Sequence, residues 1–265
     1  MIGNLRYEEQ MEIAEMLYEA ERTATPIKRP TERYPDMNIH DAYKIQEMGV
    51  KLRVTGRGRV IGRKLGATNE DLMRALKTEE PDFGCLLNSS LVNEGDVIRR
   101  SRLHHPRVEG ELAFIMGEEL KGPGVTIAEV YNATSWVLPC FEICDSRVEP
   151  PEELTFLDSI ADNAGAARFM LGSKPKHLDE INPRLIGMVM ERNGVVIGSA
   201  AGVEAMGNPV IGVTWLVNEL ARVNVGLKRG DIILSGAFLA TENVEAGDVF
   251  TLYTDGFPGI TLRFS

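Results

Sequence analysis

Glu109 and Glu111 stand two residues apart inside RVEGELAF, residues 107–114, a run that otherwise has the composition of a buried strand. Side chains alternate faces along a strand, so these carboxylates point the same way, roughly 7 Å apart. Like charges at that separation repel unless water or a cation lies between them. A third acid, Glu142, sits in VLPCFEICDS between Phe141 and Ile143, where partial burial in a second strand is expected. A lone ionised carboxylate is costly to bury, so such groups are paired, protonated or bound to a cation. Three converging acids with no matching Arg/Lys cluster would suit a hard divalent cation. Oxygen ligands with room for water favour Mg2+ or Mn2+ over Zn2+. The four histidines, His40, His104, His105 and His177, show no HxxxH or HxH spacing, which also counts against zinc. The plainer alternative is a solvated strand face, where glutamates commonly sit, and spacing alone does not make the two strands neighbours. Lys64 and Asp82 face the same choice. By pattern, Lys64 is a surface lysine and Asp82 a turn residue before Gly84. Beside a cation, a lysine can instead carry a proton.

These residues are positioned by a chain that reads as helical over its first ~80 residues and strand-rich afterwards. Tyr7 to Arg22 has Ile13, Met16, Leu17 and Ala20 at helical spacing. Asn38, with Asp41 three residues on, predicts the start of a second helix that runs through Leu52. TGRGRVIGRKLG then predicts a Gly-rich turn into a short strand carrying Lys64; it follows a helix and enters a strand, the wrong context for a phosphate loop. Thr68 is the expected cap of a short helix over 69–77, and Thr126 with Glu129 caps another. Asn193-Gly194 lies between apolar runs, as a two-residue type I′ hairpin requires. Residues 209–222 predict an amphipathic helix with Trp215, Leu216 and Leu220 inward, and DIILSGAFLA and DVFTLYTDGFPGITLRF predict closing strands.

Bulk properties exclude several classes. A formal charge of −10 with no basic run argues against nucleic-acid binding. No apolar run reaches membrane-span length, and the opening MIGNLRYEEQ has acids where a secretory signal needs a basic start. Cys85, Cys140 and Cys144 are odd in number without CxxC spacing; they read as small buried hydrophobes in a reducing compartment, so a cytoplasmic protein is expected.

The segments KLGAT, EPDFG, RVEGELAF, PCFEICDSR, DSIADNAG and ILSG together resemble the 2-keto-4-pentenoate hydratase family. That family lies within the fumarylacetoacetate hydrolase superfamily and is close kin to the 4-oxalocrotonate decarboxylases. The resemblance runs from DAYKIQ to the terminal RF. It implies an α+β fold, a fumarylacetoacetate-hydrolase-like mixed β-roll with an N-terminal helical segment. A single catalytic domain over 1–265 would be mainly helical through residue 80 and β-rich from 81. By the same resemblance, Glu109, Glu111 and Glu142 hold Mg2+ or Mn2+, Lys64 and Asp82 are catalytic, and Ser235 of ILSG binds substrate. Ala237 and the FPG of residues 257–259 depart from the usual pattern. A homo-oligomer and a small 2-oxo or 2-hydroxydienoic acid substrate are implied, with no nucleic-acid or membrane partner.

The implied reaction is hydration of 2-hydroxypenta-2,4-dienoate (2-oxopent-4-enoate) to 4-hydroxy-2-oxopentanoate in aromatic meta-cleavage catabolism. The substrate's carboxylate and adjacent oxygen can chelate a cation that stabilises the developing enolate. A 4-oxalocrotonate (2-oxo-hex-enedioate) decarboxylase would use the same acids. A non-catalytic partner subunit of a hydratase–decarboxylase complex is a third reading, against which the presence of Lys64 and all three acids counts.

Overall fold

The computed structural model describes residues 3–54, 56 and 58–265. The N-terminal segment comprises α1 (Tyr7–Thr23), β1 (Ile27–Lys28), α2 (Pro30–Arg33) and α3 (Ile39–Arg53). Helix α1 buries Ile13, Ala14, Leu17 and Ala20 at three- and four-residue spacing. Helix α3 starts where expected: Asn38 Oδ1 accepts the N–H groups of His40 (2.9 Å) and Asp41 (3.1 Å). The Asp41 carboxylate returns to the Asn38 N–H at 3.0 Å. It also accepts from the Asn4 and Leu5 N–H groups and from Gln10 Nε2, tying the start of the chain to α3. Part of the Gly-rich turn expected next, Thr55 and Arg57, lies outside the described residues.

The chain enters the sheet at β2 (Val60–Gly66), then forms α4 (Glu70–Leu76), β3 (Asp82–Leu87), β4 (Leu91–Val92), β5 (Val97–Ile98) and β6 (Arg107–Met116). The cap of α4 is Asn69, whose Oδ1 accepts the Leu72 N–H at 2.9 Å, and not Thr68. Thr68 is buried instead, packed beneath Gly236. Next come α5 (Ile127–Ala133), β7 (Thr134–Cys144), β8 (Val148–Glu149), α6 (Phe156–Ala161) and β9 (Ala166–Leu171). Thr126 and Glu129 cap α5 reciprocally, as their spacing predicts.

The Asn193-Gly194 turn, with φ of 55° and 79°, joins β10 (Gly187–Arg192) to β11 (Val195–Ala201). Helix α7 (Pro209–Leu220) buries Leu216 and Leu220, and Trp215 is half-buried against the core. The chain closes with β12 (Ile232–Leu234), β13 (Glu242–Asn243), β14 (Val249–Thr254) and β15 (Ile260–Phe264). The strand expected over DIILSGAFLA stops at Leu234, because Gly236 at φ +91° turns the backbone away.

Two mixed sheets result. One is ordered β3-β2-β12-β6-β7-β9-β4 with β13 pairing β6; the other is β11-β10-β14-β15-β5. Val108, Leu112, Phe114, Phe141 and Ile143 of the first sheet pack with Met188, Met190, Phe250, Leu252 and Leu262 of the second in one apolar core. The opposite face of the first sheet carries a smaller cluster of Leu86, Ala113, Cys140, Phe169, Ile232 and Leu234. Strand β6 is therefore buried on both faces, and its glutamates are not on a solvated side. A third cluster joins α1 and α3 to Val148 and Ile160. Among the described residues, no helix is long and apolar enough to cross a membrane.

Candidate active site

Antiparallel pairing of β6 with β7 sets Glu109 directly opposite Glu142, and Glu111 opposite Cys140. On the other side of β6, Leu234 of β12 stands opposite Ala113, and opposite Lys64 of the parallel neighbour β2. Directly opposed residues share a face, so Lys64, Glu109, Glu111 and Glu142 all rise from the sheet side that bears the smaller apolar cluster. The strands are neighbours, which spacing could not say. Lys64 is 3% exposed and Asp82 1%, so neither is a surface residue.

Each side chain has a built setting. Lys64 Nζ lies 3.2 Å from Glu142 Oε1 and donates to the Ala164 carbonyl at 2.9 Å. Its third neighbour is Cys144 Sγ, at 3.8 Å. Asp82, two residues into the site from Gly84, accepts the Ser159 hydroxyl on Oδ2 at 3.0 Å. Glu111 Oε2 accepts the Gly236 N–H at 2.7 Å, while its Oε1 is buried without a partner. The turn that ends β12 therefore serves Glu111, and a Cβ at Gly236 would collide with Thr68. Both Glu142 oxygens are buried without a hydrogen bond.

Charge in this pocket is unbalanced. Burial, then the neighbouring Glu142 and Glu109, pushes Glu111 well above the ordinary carboxylate range. Burial also lifts Glu142 to about 7, with Lys64 opposing and Glu109 adding. Asp82 is raised by burial, partly offset by Lys64 and the Ser159 hydroxyl. Burial acts to lower Lys64, but Cys144 and the carboxylates of Glu142, Glu109 and Asp82 outweigh it and hold the ammonium well above its usual value. Several acids share one ammonium, and burial favours the neutral forms of Glu111, Glu142 and Asp82. A divalent cation would neutralise the same charges without protons, so the donor set and its orphaned oxygens fit one. It would also withdraw the carboxylate charge that holds Lys64 up.

Among the described residues, the group whose ligand atoms come together differs from the expected trio. Ligand atoms of Glu109, Glu142 and Cys144 lie within 4.8 Å of one another. Glu111, tethered to Gly236, stands outside that group. Cys144, expected to be an inert buried thiol, is a soft donor at the edge of an otherwise oxygen-rich site. Its period-2 spacing from Glu142 was the available signal.

A cavity of about 240 Å³ opens beside the group, lined by Lys64, Asp82, Arg107, Glu109, Cys144 and Ala237 among others. Ser235 is not on its wall: it is fully buried, and its hydroxyl has no hydrogen-bond partner. The FPG turn is also off the wall, so of the two sequence departures only Ala237 touches the cavity. Ser159, the Ala164 carbonyl and Arg107 are site residues that spacing did not single out. The loop bearing Ala164 is clamped by a buried pair: Arg147 Nε donates to Asp162 Oδ1 at 2.7 Å, and its Nη2 to the Asp162 carbonyl at 2.6 Å.

Two mixed sheets, an acid cluster on the face of one that is turned away from the other, and a helical N-terminal segment define the fumarylacetoacetate-hydrolase type of α+β fold. Residues 58–264 match the family model described as fumarylacetoacetate (FAA) hydrolase C-terminal, and the chain belongs to that family. It is 35% identical over 257 residues to a 2-keto-4-pentenoate hydratase of Paraburkholderia xenovorans (strain LB400), covering 97% of this chain and 95% of that one. It is 37% identical over 259 residues to a 2-oxo-hept-4-ene-1,7-dioate hydratase of Escherichia coli, covering 95% and 96%. Among solved structures, a 4-oxalocrotonate decarboxylase from Pseudomonas putida G7, complexed with magnesium and adipate, superposes with a TM-score of 0.96 at 31% identity over 99% of each chain.

Proposed function

We propose that this chain is a divalent-metal-dependent hydro-lyase that adds water to 2-hydroxypenta-2,4-dienoate, giving 4-hydroxy-2-oxopentanoate. The observation that carries this reading is the convergence of Lys64, Glu109, Glu111 and Glu142 on one sheet face, beside a cavity lined also by Asp82. Hydratase relatives spanning nearly the whole chain support it. Glu109, Glu142 and Glu111 would hold the cation, Mg2+ or Mn2+ by their oxygen chemistry. When bound, it supplies Lewis acidity toward the substrate's C1 carboxylate and C2 oxygen.

The chain's own groups then divide the proton work. The Lys64 ammonium, aimed by the Ala164 carbonyl, delivers a proton to C5 as the C2 hydroxyl loses its own, leaving a 2-oxo-3-enoate. Asp82, oriented by Ser159, takes a proton from the water whose oxygen bonds to C4. A proton returned to C3 completes the addition. Burial of the group keeps bulk water from scrambling these transfers.

Decarboxylation of 2-oxo-hex-enedioate is the second reading, favoured by the near-complete superposition on a solved decarboxylase. Ultraviolet loss of the dienoate with Mg2+, followed by product identification, separates the two. The expected product is 4-hydroxy-2-oxopentanoate; CO2 release from the hexenedioate with no hydration would replace this reading. A homo-oligomer free of nucleic-acid and membrane partners, working in the cytoplasm, completes the proposal.

A further inference from the structure

Cys144 ends β7 two residues beyond Glu142, so its thiol rises on the same face as the acids and reaches the cavity wall. One ligand atom each from Glu109, Glu142 and Cys144 lies within 4.8 Å of the other two. Glu111 is drawn aside by the Gly236 N–H. Glu142 is 1% exposed, and both its oxygens are buried without a hydrogen bond. Among the described residues its ion-pair partner is Lys64, whose Nζ also serves the Ala164 carbonyl. The sulfur therefore stands beside a buried carboxylate with acceptor capacity to spare. The other two cysteines lie outside this group: Cys85 is on β3, and Cys140 packs in the smaller apolar cluster.

We propose that the pocket holds a second, softer ligand set, Glu109, Glu142 and Cys144, which takes a thiophilic divalent cation such as Zn2+ or Co2+ and thereby excludes Mg2+ from the two shared acids. Zinc bonds of about 2.3 Å to sulfur and about 2.1 Å to oxygen place such donors about 3.5 Å apart in a tetrahedron, so side-chain shifts of about 1 Å close the set. The cavity beside Glu109 and Cys144 leaves room for water as a further ligand. As the sulfur–metal bond forms, the thiol proton passes to solvent. Mg2+ keeps to oxygen donors and leaves the sulfur alone. The consequence reaches Lys64, whose Nζ lies 3.2 Å from Glu142 Oε1 and 3.8 Å from Cys144 Sγ. A thiophilic ion engages both of those neighbours and leaves the ammonium only the Ala164 carbonyl, whereas Mg2+ leaves it the sulfur as well. Ligand softness decides this competition, whichever of the two reactions the chain performs.

The test uses the chelator-treated full chain and single metals. Co2+ alone is expected to raise a near-ultraviolet thiolate-to-cobalt charge-transfer band. Cys144→Ser should abolish that band, and Cys85→Ser should keep it. By isothermal titration, Cys144→Ser should weaken Zn2+ binding by about tenfold or more and change Mg2+ affinity by no more than about twofold, because only the soft donor is lost. Glu142→Gln should weaken both ions, since its carboxylate belongs to both sets. Excess Mg2+ should bleach the band of the Co2+-loaded wild type, a result that needs no variant to fold. A band that survives in Cys144→Ser would overturn the inference, as would Zn2+ affinity equal to that of the wild type. So would a wild-type band left intact by Mg2+ that the metal-free chain does bind. If Mg2+ does not bind the metal-free chain, the magnesium-dependent reading above fails, while the Co2+ band and its loss in Cys144→Ser still decide the place of the sulfur.

Discussion

Lys64 is held on three sides, by the Glu142 carboxylate, the Ala164 carbonyl and the Cys144 sulfur. As a positioned acid it should contribute roughly 10²–10⁴-fold to rate. Lys64→Met is expected to lower turnover by about that factor while the fold, followed by circular dichroism, persists with Mg2+ present. Asp82→Asn should also slow turnover, and the double variant should lose less than the product of the single losses if the two act as a unit. Near-wild-type turnover of Lys64→Met would assign the proton to another donor. The acids make a separate prediction. Glu111 and Glu142 bind protons more tightly here than in an unfolded chain, so the metal-free protein loses stability as pH rises toward and through about 7. A cation competes with those protons, so its stabilising effect grows over the same range. Melting curves at pH 6 and pH 8, with chelator or Mg2+, should show the larger Mg2+ increment at pH 8. An increment independent of pH, or absent, would contradict the acid cluster as the metal site.

At the scale of elements, the pairing of β6 with β7 turns two separate sequence runs into one acid cluster. The loop after α6 then completes it. Asn163 presents its side-chain amide to the backbone of Cys85, donating to the carbonyl at 3.0 Å and accepting the N–H at 2.7 Å. That docking, with the Arg147–Asp162 pair, sets the Ala164 carbonyl over Lys64. Arg147→Met would remove the paired counter-charge of buried Asp162, a change that typically costs about 3–5 kcal/mol. Denaturant unfolding should report that loss, and residual activity should fall because Lys64 is no longer aimed. A loss below about 1 kcal/mol would mean the pair is not the clamp described.

For the whole molecule, the cavity lies where residues from β2, β3, β6 and β7 meet the loop after α6, so no single segment contains the site. The N-terminal helices pack through Val148 and Ile160 onto the elements flanking that loop. Strand β11 is a sheet edge and exposes Val195 and Val196, a surface that would gain from coverage. Light scattering is expected to give a multiple of the 29.3 kDa chain mass. A lone monomer at micromolar concentration would refute the homo-oligomer.

What could be read without a structure was whatever depends on neighbours along the chain. Asn38 with Asp41, Thr126 with Glu129, and the Asn193-Gly194 turn each satisfy backbone groups within a few residues, so composition at fixed offsets is sufficient. The common face of Glu109 and Glu111 follows from strand geometry alone. Roles for Lys64, Asp82 and Glu142 were legible through the family likeness, since spacing could not bring separate strands together. The rest depended on contacts between distant residues. Asn69 caps α4 because Thr68 is needed under Gly236, and β12 ends early because the Gly236 N–H is aimed at Glu111. Arg107 and Cys144 enter the site through register, and Ser235 leaves it through burial. Cross-strand register is decided when both faces of β6 are packed at once, a condition that no local stretch of sequence contains.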